Sequence, residues 1–228
     1  MTYLFNTYIY APILSVLIFI YRYVAFHDLG VAIIILTVLV RVVLFPIFFK
    51  SAKDQSLMQR IQPRIQEIQE KHKDDKEAQA KALMSLYKEH KLNPFAGFFL
   101  LLLQLPIFLA LFQMFTKELS TGVFDSHMFL GFVDLGAKSI VLAIIAAFLQ
   151  YFQGKLALAP AKPKEGQKEN STLAVAKIMT VVGPAVTVII LINLPAALGL
   201  YWAVSTAFSV AQQVYINRAL DKVTQKGV

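Results

Sequence analysis

The chain alternates long apolar tracts with short charged ones, and this layout restricts its possible folds more than any other feature. A helix that crosses a bilayer needs roughly 20 mostly apolar residues, within a range of about 17–25. Five tracts reach or approach that length, at 29–49, 93–116, 136–153, 173–192 and 196–217. Only 16% of the residues are charged and 57% are hydrophobic, whereas about a quarter of a soluble domain is charged. There is too little polar surface to cover a water-soluble globule. The pattern predicts an all-α membrane protein with five transmembrane helices. The third tract is interrupted by Lys138 and Ser139, where the lysine can snorkel to the interface.

A sixth apolar stretch lies within residues 1–28. It carries tyrosines at 3, 8, 10, 21 and 23, together with Pro12 and Arg22. Rings with one wet end collect at membrane interfaces. The stretch is therefore expected to lie on the outer surface as an interfacial helix. It lacks the basic start and small-residue cleavage site of a signal peptide.

Charge sets the expected orientation. Lys and Arg occupy positions 50, 53, 60, 64, 71, 73, 76, 81, 88 and 91 of the 50–92 segment, but only Lys117 and Lys138 lie between the second and third tracts. Four more fall in 154–172, none falls between the last two tracts, and Arg218, Lys222 and Lys226 follow the fifth. Basic loops stay cytoplasmic. Segments 50–92, 154–172 and 218–228 are thus expected inside, with 117–135 and the N-terminus outside. The net charge of +8 follows from this rule without invoking nucleic acid. The 154–172 segment reads as a flexible Pro- and Lys-rich connector. Its Asn170-Ser171-Thr172 sequon is not expected to be used on the cytoplasmic side.

The 50–92 segment has helical periodicity. Leu57, Ile61, Ile65 and Ile68 form one apolar stripe, and Leu83, Leu86, Tyr87 and His90 form another. Pro63 interrupts or starts a helix. Asp74 or Asp75 suits an N-cap. These features predict a cytoplasmic helical hairpin.

One residue stands out inside the apolar tracts. Arg41 lies eight residues from the inner end of its span, or roughly 12 Å at ~1.5 Å per residue. A central arginine costs roughly 2.5–3.5 kcal/mol on insertion scales. None of the five tracts contains Asp or Glu, so an ion pair within the membrane is not available. A water-filled cavity is the expected surrounding. Thr37 lies one turn from Arg41 on the same face. Trp202, Ser205, Ser209 and Gln212 follow helical spacing in the last tract. Gln104 is central in the second, and Gln150 and Gln153 share a face in the third. Each of these also suits plain interhelical hydrogen bonding.

Enzymatic chemistry fits poorly. The histidines, at 27, 72, 90 and 127, all fall outside the tracts, and cysteine is absent. No carboxylate pair, metal-ligand set or Walker-type loop is available. No cofactor, metal or small-molecule substrate is expected. A passage, a receptor or an insertase remains.

Four motifs narrow the choice. They are an arginine five residues before a proline (Arg41, Pro46), "LYKEHKLNP" ending the hairpin, "QLPIF" in the second tract, and "GLYW" followed by "QQ" in the last. Together they resemble the YidC membrane-protein insertase family over roughly residues 8–220. The likeness is to its short form, without the large extracytoplasmic domain or an additional N-terminal span. Phe98 and Leu100 stand where many members have Cys and Pro. The resemblance implies five core helices around a hydrophilic groove, closed on the outside, with an amphipathic outer-surface helix and a mobile cytoplasmic hairpin. It implies that Arg41, Thr37, Gln104, Tyr201 and Trp202 line the groove, to which the residue spacing adds Gln150, Ser205 and Ser209. Trp202, beside Tyr201, falls at a substrate-contacting position. Arg60, Pro63, Arg64, Lys71, Lys73 and Tyr87 mark the hairpin. Implied partners are nascent membrane proteins and the lipid bilayer, with the ribosome and the Sec translocon as further candidates. The short tail makes tail-mediated ribosome docking unexpected. The implied location is the bacterial plasma (inner) membrane. A small anion channel using Arg41 as its selectivity charge is the alternative.

Overall fold

The computed structural model describes residues 2–118, 121–158 and 171–226. It is almost wholly helical. The chain begins with α1 (Thr2–Phe5), a π turn over Asn6–Tyr10 and α2 (Ala11–Tyr23). Pro12, the second residue of α2, has no N–H to donate back into the π turn, which suits a loosened turn. Next come α3 (Leu29–Val43), α4 (Phe45–Arg60), α5 (Gln62–Lys71) and α6 (Lys76–Glu89). The remaining helices are α7 (Ala96–Lys117), α8 (Ile140–Ala157), α9 (Ser171–Leu191) and α10 (Ala196–Lys226). A two-stranded hairpin, β1 (Met128–Phe129) with β2 (Val133–Asp134), sits in the connection before α8.

The first long tract departs from the sequence expectation. A straight helix over 29–49 is not formed. The chain breaks at Leu44 and turns by 70° between α3 and α4. Pro46 lies in the first turn of α4 and cannot donate to the Val42 carbonyl, which instead accepts from Leu44 N–H. The apolar residues 45–49 therefore belong to the base of the hairpin. The third tract is shifted as well. Helix α8 starts at Ile140 because the Ser139 hydroxyl caps it, accepting from Leu142 N–H at 3.4 Å, and it runs on to Ala157.

Two ends of the bundle can be distinguished. At the loop end, Ala196 N–H donates to the Ala137 carbonyl at 2.8 Å and Ala197 N–H to the Leu135 carbonyl at 3.0 Å. These bonds satisfy the free donors that open α10. Asp28 caps α3 through Val31 N–H at 2.8 Å and also accepts from Leu130 N–H at 2.6 Å, joining the α2–α3 turn to the β-hairpin. Helix α2 and its preceding turn touch the 118–126 connection at both ends. The Tyr10 hydroxyl donates to Glu118 at 2.8 Å, and the Tyr21 hydroxyl accepts from Ser126 N–H at 3.0 Å. By length and composition alone, Tyr3–Tyr23 is also apolar enough to cross a membrane.

At the other end the expected hairpin is present. Asp75, not Asp74, caps α6 through Ala78 N–H at 2.9 Å. Helix α5 starts after a break at Ile61, with Pro63 in its first turn. From the two apolar stripes, Ile65 and Leu86 are buried, and Gln79 donates to the Gln69 carbonyl at 2.9 Å between α5 and α6. Most of the 154–172 connector, including Asn170 of the sequon, lies outside the described residues.

Candidate functional site: the cavity around Arg41

Between the two ends, α3, α4, α7, α8 and α10 line an open-sided cavity of about 320 Å³. Arg41 points into it from α3, Gln104 from α7, and Gln150 and Gln153 from α8. Helix α10 contributes Tyr201, Trp202, Ser205, Thr206 and Ser209. The 3-4-3 spacing from Trp202 onward becomes a polar stripe because α10 runs unbroken past all of these positions.

Arg41 is 8% exposed. Its Nε and Nη2 donate to the Ser205 hydroxyl at 3.1 and 2.5 Å. The guanidinium carbon stands 4.4 Å from the centre of the Phe48 ring, in cation–π range. Among the described residues no carboxylate pairs with it. A guanidinium has five N–H donors, so one hydroxyl and one ring face leave donors directed at the cavity. The cation is held in place but not neutralised.

The remaining polar groups support one another. The Gln104 amide donates to the Tyr201 hydroxyl. The Thr187 hydroxyl on α9 donates to Gln150 at 2.6 Å, which fixes that amide against α8's neighbour. The Trp202 ring meets Phe108 edge-to-face at 5.6 Å between centres. Of the cavity residues expected from the sequence, all but Thr37 and Gln212 line it; Gln212 is buried further along α10. Thr37 is buried, but its hydroxyl donates back to the Ile33 carbonyl at 2.6 Å and it does not line the cavity. Sequence reasoning missed Phe48, Thr187 and Thr206. Phe48 reaches Arg41 only because of the bend at Leu44. Thr187 and Thr206 sit in apolar runs where a threonine gives no periodic signal.

The hairpin residues do not converge on this cavity. Arg60, at the end of α4, pairs with Asp221 of α10 at 2.5 Å. Pro63 starts α5, and Arg64 Nη1 lies 3.5 Å from His90 Nε2 across the hairpin. Lys71 ends α5, and Lys73 is in the turn beyond. Tyr87 packs along α6, where burial pushes its phenol pKa up. They are spread from the base of the hairpin to its tip. A second contact ties that base to α10, where Gln213 donates to the Ser56 hydroxyl at 2.7 Å.

Comparison with known proteins identifies the family. The family model described as 60Kd inner membrane protein matches residues 19–224. The membrane protein insertase YidC of Geobacter metallireducens is 36% identical over 219 residues, covering 94% of this chain and 38% of that protein. The YidC insertase of Geotalea daltonii is 37% identical over 213 residues, covering 92% and 37%. The chain thus spans less than half the length of these curated relatives. A crystal structure of an active YidC insertase with its first transmembrane domain resolved superposes with a TM-score of 0.63 at 26% identity, covering 91% of this chain and 45% of that one. On the family match, which takes in all of its cavity and hairpin, the chain belongs to the 60Kd inner membrane protein family.

Proposed function

We propose that this chain inserts nascent membrane proteins into the bilayer of the bacterial inner membrane, using the cavity around Arg41 as a wet recess. The observation that carries this reading is a buried guanidinium with no carboxylate partner among the described residues, facing a polar cavity. A charge in that state attracts acidic or polar groups of an incoming segment and shortens the hydrocarbon path they must cross. Hydrophobic burial of the substrate helix then drives release into lipid. The membrane potential adds about 2.3 kcal/mol per acidic charge per 100 mV. No covalent step is required.

In this reading five spans cross the membrane, formed by α3, α7, α8, α9 and the apolar part of α10. The hairpin and the C-terminal end of α10 face the cytoplasm, and the N-terminus faces outside. Contact of Tyr10 and Tyr21 with the same connection supports an α2 that lies across the loop end as an interfacial helix. Nascent chains and lipid are the partners, with the ribosome and the Sec translocon as further ones. Fully buried Leu17, Tyr21, Leu29 and Leu198 fill the loop end. That dry core speaks against the anion-channel alternative, which needs a path to both sides.

The test is depletion of a host's own insertase and complementation with this chain. Arg41→Ala should slow insertion of substrates with acidic translocated segments, while Arg41→Lys retains much of the activity. Normal insertion of acidic substrates by the Ala variant would remove the role given to the charge. A crosslinker at position 202 should capture ribosome-bound nascent chains, and failure to do so would remove the insertase reading itself.

A further inference from the structure

A second cavity, also of about 320 Å³, adjoins the first on the hairpin side. The two share Gln150 and Gln153. Its opposite wall is α4, which presents Gln55 and Gln59 one turn apart on one face. Helix α9 closes the third side at Thr180. The wall there is tight, because a Cβ on Gly154 of α8 would meet Thr180 at 3.0 Å. The 70° bend at Leu44 is what brings α4 across to face α8.

The two cavities differ in charge. Arg41 dominates the first, whereas among the described residues no side chain lining the second is ionisable. Among the described residues Gln55, Gln59 and Gln153 have no hydrogen-bond partner in the protein. Each primary amide offers two N–H donors and a carbonyl acceptor. Two rows of such groups facing each other match the N–H and C=O groups of an extended polypeptide. They do so whatever side chains that polypeptide carries. A formal charge at the entrance would hold segments of opposite sign and repel those of like sign.

We propose that the amide-lined cavity between α4, α8 and α9 is an entrance subsite that binds the main chain of extended hydrophilic substrate segments without regard to charge, before Arg41 acts on their charge. This rests on the insertase reading above. Binding and charge selection are then separate steps at adjoining places. Gln55 and Gln59 belong to the hairpin, so the hairpin forms one wall of the site and is more than a tether beside it.

Absence of cysteine from the chain allows a direct test. Single-cysteine variants Gln59→Cys and Trp202→Cys are exposed to ribosome-bound nascent chains that carry one cysteine in a neutral, acidic or basic hydrophilic segment. Gln59→Cys should form disulfide adducts with all three segments within about twofold. Adducts at Trp202→Cys with none at Gln59→Cys would overturn the subsite and leave the insertase reading standing. No adduct at either position would remove both. In a cysteine-free insertion assay, the Gln55→Leu/Gln59→Leu double variant should slow all three segments alike, by about three- to tenfold if one or two hydrogen bonds are lost. Slowing confined to one charge class would overturn charge-blind binding. If the double variant fails to accumulate, the Gln59→Cys adducts still decide.

Discussion

The two ends of the bundle solve opposite problems. At the loop end, buried residues are apolar and close-packed. Leu17, Tyr21, Leu29, Ala32 and Leu198 are fully buried, and small residues let helices approach closely. Gly199 of α10 rests 3.1 Å from Leu142 of α8, measured to where its Cβ would be. Towards the hairpin the buried set gains polar members. It includes Arg41, Ser51, Asp54, Ser56, Ser205, Thr206, Gln212 and Gln213. Burying such groups is expensive unless they are hydrogen-bonded. The contrast is between an apolar, close-packed end and one that buries polar groups, which suits the proposed entry of polar segments from the hairpin side. Substitutions at the first should cost stability, and those at the second should cost activity.

The largest effect is expected at Gly30. A Cβ there would lie 2.0 Å from the Phe129 ring, so Gly30→Val must displace the β-hairpin. Overpacking of this kind costs about 1–3 kcal/mol, read as a lower unfolding temperature in nanodiscs. An unchanged transition would mean that the loop end is not the rigid part. Arg41→Leu should act in the opposite sense. Removing a buried, unpaired cation should leave stability unchanged or raise it by about 1 kcal/mol, while insertion of acidic substrates falls about tenfold. Clear destabilisation would recast Arg41 as a structural residue and erase the contrast.

Ser205→Ala should be milder. It removes the hydroxyl that accepts from Nε and Nη2 of Arg41, but cavity water can replace it. A loss of no more than about 1.5 kcal/mol is expected, with acidic substrates slowed about threefold and neutral ones unaffected. Equal slowing of both classes would show that Ser205 does more than hold the guanidinium. The smallest effect is expected for Asp221→Asn. Asp221 is itself 61% exposed in its pair with Arg60, so the change should stay below about 1 kcal/mol. A larger shift in the melting of the hairpin would mean that its base is clamped to α10 more firmly than an exposed pair allows.

Much of this protein can be read from its sequence. Apolar tract length and charge spacing specify the helices and the hairpin, because both depend on residues close together in the chain. Arg41 stands out for the same reason: an arginine in a tract without carboxylates is costly wherever the helices pack. Periodicity alone also places Trp202, Ser205 and Ser209 on one stripe. The partners of these groups are a different matter. Phe48 becomes the cap on Arg41 only through the bend at Leu44, and Thr187 meets Gln150 only through the packing of α9 on α8. Thr37 shares a helical face with Arg41, yet its hydroxyl turns to its own backbone, a choice that a carbonyl four residues back always offers a threonine. The sequence by itself determined that a charge would be buried in the membrane without a carboxylate. Only the tertiary structure decided what would surround it, because contacts between helices depend on crossing and bending, which local residue patterns do not encode.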